Sequence, residues 1–489
     1  MDKKCKILLI YPGPKAKFPR LPMSCIVLAA YLRQRNFDVE ILDTRLDTTE
    51  GKRWSDYLCI GISSMSGLQL KYAIGIARII KSQAPKVPLV WGGAHVSFYP
   101  RESAESPLVD YVVRGEGEET LFELIERVIL NKCLEEIPGA TFYHDEKLFS
   151  GSERMHVDMD GLPFPAYDLV SLARYSDSVE GFSYETSRGC PHRCGFCYND
   201  FFHRRDWRAK SAEKIFIELE RVRDEYGIKK IYFIDDNFMV SLSRVKKICQ
   251  KIKDLNLNWA SSSRADYLAV YKREDFILFK ESGCLYLQYG AESGSAQELD
   301  YIQKDITPQD IINSVRNCIE AGIMQVLSFM IGLPNETKVD REKTLNLYDY
   351  IMKLDGDIEI NGIFIYTPYP GTFLYNEAVK SGFKERIKLE EWGKWKFGDP
   401  RNIPWIKRKD IGYLETIEII SIFNYYVHRL NFYSKTYRKK MLGFLGYMFY
   451  YLIIPVMRLS ASLRWRHRLF FAAPEWRLFK FLVARLFPR

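Results

Sequence analysis

The sequence predicts an α/β protein in three parts: an N-terminal doubly wound parallel sheet, a partial (β/α)6 barrel, and a C-terminal helical region. Three observations carry this expectation. Two successive series of short apolar runs alternate with helical periodicity, a proline- and glycine-marked stretch separates them, and the strand pattern stops near residue 385. A chain of 489 residues has ample length for several cores. The expected boundaries are 1–135 for the first domain, 136–180 for a linker, 181–385 for the barrel and 386–489 for the helical region.

In the first series "KILLIY", "DVEILD", "YLCIGIS", "PLVWGG" and "VDYVVRG" read as strands, with "SCIVLAAYLRQR" and "LQLKYAIGIARIIKSQ" as helices between them. Continuous apolar strands alternating with helices imply a parallel sheet covered on both faces, whose ligand crevice lies at the strand carboxyl ends. Those ends carry Pro12-Gly13-Pro14, Ser63-Ser64-Met65-Ser66-Gly67, Gly92-Gly93-Ala94-His95 and Gly115-Glu116-Gly117-Glu118. Each alone reads as an ordinary tight turn. Four such turns on one rim point instead to a large ligand, and nominate Ser63, Ser64, Gly92, Gly93, Gly115 and Glu116 as cofactor-binding residues. No GxGxxG opens the first turn, which argues against a nicotinamide cofactor.

Between the series, "EIPGATFYHDEKLFSG" reads as a hairpin and "GLPFPAYDL" as a connector. The second series runs "GFSYETS", "KKIYFIDD", "LNWASSS", "CLYLQYGAES", "MQVLSFMIGLP" and "DIEINGIFIYTPYPGT", with clear helices at "SAEKIFIELERVRDEYG" and "TPQDIINSVRNCIEAG". Six successive β/α units suggest a barrel or partial barrel, with function at the strand carboxyl ends.

The net charge of +9 looks like a nucleic-acid signal until it is localised. Residues 438 to 489 hold eleven Lys or Arg against one acid, Glu475, which leaves the rest of the chain near −1. Seven of the ten cysteines, at 5, 25, 59, 133, 249, 284 and 318, are scattered through apolar stretches and read as buried hydrophobes. With no signal peptide at the amino terminus, the expected compartment is a reducing cytoplasm.

Cys190, Cys194 and Cys197 cluster in "SRGCPHRCGFCYND", just after the first barrel strand. Three thiolates on one loop suit zinc or an iron-sulfur cluster. Structural zinc needs a fourth ligand, for which His192 or His203 would have to serve. A [4Fe-4S] cluster held by three cysteines leaves one iron open to a substrate or cofactor.

"CPHRCGFC" resembles the CxxxCxxC loop of the radical S-adenosylmethionine (SAM) superfamily, and "IYFIDDNF", "SRADYL", "YGAESGS", "SFMIGLPNET" and "PYPGTFLY" follow in the expected strand order. With a doubly wound, Rossmann-like domain in front, residues 1 to about 385 resemble the cobalamin-binding radical SAM enzymes, which include methyltransferases and an anaerobic oxidative cyclase. The resemblance implies that Cys190, Cys194 and Cys197 bind three irons of a [4Fe-4S] cluster, that the fourth iron chelates SAM, and that its reductive cleavage releases a 5′-deoxyadenosyl radical. It places Phe196 near the adenine, or packing the loop. It sets Asp235 and Asp236 on the SAM amino group, where charge-assisted hydrogen bonds suit a carboxylate, or as caps of the next helix together with Asn237. Glu292 matches the residue on the ribose hydroxyls. Arg264 pairs with the SAM carboxylate, with Glu292 or with Asp266, and Ile331 and Gly332 lie along the adenine.

Cobalamin is expected in the first domain although no DxHxxG occurs there; His95 reads as a loop hydrogen-bonding residue rather than a cobalt ligand. The tail interleaves Arg with Trp, Phe and Leu, and Met441 to Met457 carries no charge. That pattern suits helices lying in an anionic membrane interface, with a helical cap on the barrel as the alternative and nucleic-acid binding as a third reading. The expected protein is a C-methyltransferase acting on a small apolar, lipid-like molecule at the cytoplasmic face of the membrane, reduced by a flavodoxin or ferredoxin. The alternatives are radical oxidation, cyclisation or rearrangement without methyl transfer, and a membrane-associated sensor. No nucleic-acid partner is expected.

Overall fold

A computed structural model describes residues 6–130, 132, 134, 136–177, 181–432, 435–471 and 473–486, with side chains described outside 424–450, 480 and 482–486. Cys5 and Cys133 lie outside the described residues. The chain forms two compact units, one of residues 1–189, 201–232 and 385–397, the other of 190–200, 233–384 and 398–489.

The first unit is built on a seven-stranded sheet of order β2-β1-β3-β4-β5-β6-β7. Strands β1 (Lys6–Tyr11), β2 (Asp38–Asp43), β3 (Cys59–Ser63), β4 (Leu89–Gly92) and β5 (Tyr111–Val113) are parallel. Ile7, Leu8 and Ile10 are fully buried, because the sheet is covered on both faces and no residue of β1's centre can face water. The order reverses beside β1, which sets a crevice at the carboxyl ends of β1 and β3. The hairpin β6 (Ala140–His144) and β7 (Lys147–Ser150), expected inside the linker 136–180, instead extends this sheet antiparallel beyond β5. Asp145 and Glu146, both at positive φ (46° and 61°), form its two-residue turn.

Residues 385–397, expected to end the barrel at 385 and begin the C-terminal region at 386, belong to this first unit. The helix Leu389–Gly393 packs on the helix Leu68–Gln83, and Trp392 is fully buried while its carbonyl accepts from Gly67 N at 3.1 Å. Its apolar rings find more buried surface on this sheet's helix than in water, a tertiary effect that local periodicity does not register.

The second sheet has the order β15-β14-β13-β12-β11-β8. Its strands are β8 (Phe182–Tyr184), β11 (Lys230–Phe233), β12 (Asn258–Ser262), β13 (Cys284–Glu292), β14 (Met324–Ile331) and β15 (Ile358–Ile365); a short antiparallel ribbon pairs β9 (Ser187–Arg188) with β10 (Arg208–Ala209). The pairs β12–β13, β13–β14 and β14–β15 are parallel. The helices between them start where the sequence supplies caps: Thr307 and Asp310 form a capping box ahead of Pro308–Glu320, as do Thr337 and Asp340 ahead of Lys338–Met352.

An open barrel leaves an edge, and the helix Ile411–Phe432 covers it. Ser421 Oγ accepts from Ile363 N at 2.8 Å and Glu418 Oε1 from Ile365 N at 3.3 Å, while Leu414, Ile417, Ile420 and Phe423 bury against the unit. The helices Lys435–Arg466 and Pro474–Leu486 follow. Part of the tail expected to face a membrane packs inward instead. Trp476 and Phe470 are buried, Trp465 Nε1 donates to Asp349 Oδ1 at 2.6 Å, and Arg464 and Arg468 pair with Glu475 and Asp349. Among the described residues no helix is long and apolar enough to cross a membrane. Most of the Met441–Met457 run lies where side chains are not described.

The turn after β4 yields a stability prediction. Gly93 sits at φ +98°, and a Cβ there meets Ser64 O at 2.6 Å; a Cβ on Gly115, at φ +66°, meets nothing within 4 Å. Gly93→Ala is expected to cost about 3 kcal/mol and Gly115→Ala about 1 kcal/mol. Denaturant titration monitoring the first unit checks this, and equal costs contradict it.

Candidate cluster and cofactor site

Cys190, Cys194 and Cys197 are all free thiols; Cys194 is buried and the other two half-buried. Their loop is held by its backbone. Cys197 N donates to Cys194 O at 2.9 Å, Gly195 N donates to Ile302 O at 2.8 Å, and Leu374 N donates to Gly195 O at 2.8 Å. Gly195 is required by close approach, since a Cβ would stand 2.9 Å from the Phe373 ring. Burial pushes the Cys197 thiol up to about 12 and raises Cys190 as well, against the His192 N–H and the Asn237 amide. A metal at these sulfurs offsets the charge that burial opposes.

The structure gives both histidines proposed for zinc other partners. His192 Nε2 lies 2.9 Å from the Tyr267 hydroxyl, and His203 is buried with Nδ1 3.7 Å from Glu116 Oε1. Among the described residues no three His, Cys, Asp or Glu side chains gather on one ion. Three soft donors on a tightly held loop fit a multi-iron cluster, with one iron for each cysteine.

Arg264 follows β12 and joins the neighbouring parts. Its Nη1 lies 3.0 Å from Cys194 Sγ, its Nε 3.0 Å from Asp266 Oδ1, and its Nη2 2.5 Å from Lys304 O. Glu292 closes β13, where a register shift and a left-handed backbone (φ +61°) turn its side chain. Its partner is Lys304, whose Nζ lies 2.8 Å from Glu292 Oε1 and 5.5 Å from the Phe196 ring centroid. Burial opposes the Lys304 charge, but Glu292 and Cys194 outweigh it and hold the ammonium above its ordinary value. Of the three partners considered for Arg264, the structure shows Asp266; Lys304 takes Glu292.

Asp235 is buried, and Asp236 Oδ1 accepts from the Tyr198 hydroxyl at 3.0 Å. Burial and then Asp236 push the Tyr198 phenol well above its ordinary value. Asn237 caps the single turn Phe238–Val240, its Oδ1 accepting from Met239 N at 3.3 Å while its Nδ2 lies 3.6 Å from Cys190 Sγ, and the next helix, Leu242–Ile252, is capped by Ser241 instead. Ile331 ends β14 fully buried; Gly332, at φ +75°, donates from its N to Glu336 Oε1 at 3.1 Å and accepts at its O from Trp405 Nε1 at 3.0 Å. Lys304, Tyr198 and Tyr267 escaped sequence reading. Tyr198 follows Cys197 directly, with nothing local to mark its bond to Asp236, and only the fold brings Lys304 and Tyr267 to the cysteine loop.

In the first unit the rim loops are stitched to one another. Ser64 Oγ donates to Gly92 O at 2.8 Å, Ser97 Oγ donates to Gly93 O at 2.9 Å, and Gly115 N donates to Ser97 Oγ at 2.9 Å. Ser63 Oγ lies 3.4 Å from Ser24 Oγ. Glu116 is bound by Arg208 at 2.9 Å and faces Arg188 at 3.6 Å; these cations override burial and hold its carboxyl down to about 2. His95 is buried, its Nδ1 2.8 Å from Ser66 Oγ, beneath Tyr99 and Trp392, and burial pulls it down to about 3. It serves as a loop hydrogen-bonding residue. Beside the rim Met65 and Leu68 are half-exposed, 48% and 53%. Small residues with internally satisfied polar groups and an apolar border fit the face of a large macrocycle held without a protein histidine.

Residues 184–348 match the radical SAM superfamily, and residues 15–125 match the B12 binding domain. An uncharacterized methyltransferase of Pyrococcus horikoshii is 33% identical over 415 residues, covering 81% of this chain and 88% of that one. The chain belongs to the cobalamin-dependent radical SAM methyltransferase family. The family's cofactors are a [4Fe-4S] cluster, SAM and cobalamin. An anaerobic magnesium-protoporphyrin IX monomethyl ester cyclase of Cereibacter sphaeroides is 25% identical, over 66% of this chain and 53% of its own. A hopanoid C-3 methylase of Methylococcus capsulatus is 26% identical, over 75% and 71%. In fold, the chain is similar to the cobalamin-dependent SAM radical enzyme OxsB, with a TM-score of 0.69 at 19% identity over 98% of this chain and 75% of that one.

Replacing Cys190, Cys194 or Cys197 singly by Ala is expected to lower iron and sulfide content after anaerobic reconstitution and to abolish SAM cleavage. Full iron loading with full cleavage in any one variant contradicts the assignment.

Proposed function

We propose that this enzyme methylates an unactivated carbon of an apolar, lipid-like molecule at a membrane surface, drawing electrons from a flavodoxin- or ferredoxin-type donor. When bound, the cluster supplies the electron that cleaves SAM and cobalamin carries the methyl group. The chain's own residues do the placing. Cys190, Cys194 and Cys197 hold the cluster; Asp235 and Asp236 supply carboxylates for the SAM ammonium; Glu292 serves the ribose hydroxyls; Phe196, Ile331 and Gly332 border the adenine. Ser63, Ser64, Gly92, Gly93, Gly115 and Glu116 form or brace the rim for cobalamin.

The observation that carries the substrate class is an exposed face on the helix Lys435–Arg466. Leu452, Val456, Leu459 and Leu463 recur at helical spacing, 49% to 64% exposed, with Arg458 and Arg466 exposed on the same helix. An apolar stripe flanked by cations suits an anionic lipid surface, to which each basic residue adds roughly 1 kcal/mol of attraction. A lipid-like substrate partitions to that surface. The hopanoid methylase among the relatives supports the same class. The cyclase relative supports a second reading, radical oxidation or cyclisation without methyl transfer.

The test supplies SAM bearing a trideuteromethyl group together with anionic vesicles made from a membrane-lipid extract. Expected are pelleting of the protein with the vesicles, loss of pelleting in Leu459→Glu/Leu463→Glu, and the label on carbon of an extract component. Label confined to water-soluble products overturns the substrate class, and turnover with no label transferred favours cyclisation.

A further inference from the structure

The SAM carboxylate needs cationic recognition, and two cations stand beside Cys194: Arg264 and Lys304. Their hydrogen-bonding capacities differ. A guanidinium offers five N–H donors, and four of those on Arg264 are engaged by Asp266, Cys194 and the Lys304 carbonyl. An ammonium offers three, and among the described contacts that of Lys304 gives one, to Glu292 Oε1. Lys304 is 6% exposed, so its other donors face protein or ligand rather than bulk water.

The backbone around Lys304 is held in an uncommon form. Gln303 and Asp305, on either side, are non-glycine residues at φ +53° and +54°. This strained turn is tied to the cysteine loop by Gly195 N donating to Ile302 O at 2.8 Å, to Arg264 through the Lys304 carbonyl, and to Arg193 by the Asp305 carboxylate at 3.5 Å. Strain kept by so many ties is characteristic of residues placed for a ligand. Asp235 and Asp236 are the acids assigned to the SAM ammonium, so a zwitterionic amino acid calls for both these acids and a donor-rich cation.

We propose that Lys304, rather than Arg264, binds the methionine carboxylate of SAM, and that its bond to Glu292 couples carboxylate recognition to ribose recognition. Arg264 is then a positioning residue that fixes Cys194 and the 302–305 turn. The inference rests on the SAM-site reading given above and names a residue that reading leaves out.

The test compares binding of SAM with binding of decarboxylated SAM, which keeps the sulfonium and amine and lacks the carboxylate. Both are titrated into anaerobically reconstituted wild type, Lys304→Met, Lys304→Arg and Glu292→Gln, with iron content confirming cluster loading; Lys304→Gln replaces Lys304→Met if the latter loads poorly. Expected are a loss of about tenfold or more in SAM affinity for Lys304→Met, little change for decarboxylated SAM, and partial recovery of the preference in Lys304→Arg. Glu292→Gln weakens both ligands. Equal effects of Lys304→Met on the two ligands, or none on either, overturn the inference while leaving the SAM site standing. Failure of loaded wild type to bind SAM overturns both.

Discussion

The candidate site depends on the Arg264 guanidinium more than on any other single group. From one planar head it reaches a cluster cysteine, the carboxylate of Asp266 and the carbonyl of Lys304. Its rigid fork makes these contacts at fixed angles, which a lysine's single point of charge does not reproduce. Through Lys304 the same network reaches Glu292 at the end of β13, and through Ile302 it reaches Gly195 in the cysteine loop. Three segments far apart in sequence therefore share one register around the sulfurs.

The rest of the second unit gives that network a firm frame. The parallel strands from β12 to β15 end where the site residues stand, and the covering helix Ile411–Phe432 supplies Ser421 and Glu418 to the exposed N–H groups of β15. An uncovered edge strand at this position would be open to pairing with another chain. The tail serves two ends in consequence: Trp465, Trp476, Arg464 and Arg468 pack or pair inward, while the stripe from Leu452 to Leu463 stays in contact with solvent.

Much of the architecture is legible in the sequence. Short apolar runs locate β1 and β2 to the residue, and helical periodicity locates the helix Leu68–Gln83, because each follows the period of its own element. The three clustered cysteines stand out by spacing, while their reading as an iron-sulfur site comes from the ordered motifs that follow them. What escapes depends on distance in sequence. Trp392 joins the first unit across a whole barrel of intervening chain, and Lys304 meets Glu292 and Phe196 only once the 302–305 turn has folded back. The sequence marks the rim serines without showing that Ser64 donates to Gly92 O, because a hydroxyl's partner is set by the tertiary fold and leaves no local signal.

The most direct measurement is the product balance of the anaerobically reconstituted protein given SAM, a one-electron reductant, cobalamin and a membrane-lipid extract. The account predicts 5′-deoxyadenosine and S-adenosylhomocysteine in comparable amounts, both dependent on the extract. Deoxyadenosine alone, indifferent to added cobalamin, contradicts methyl transfer.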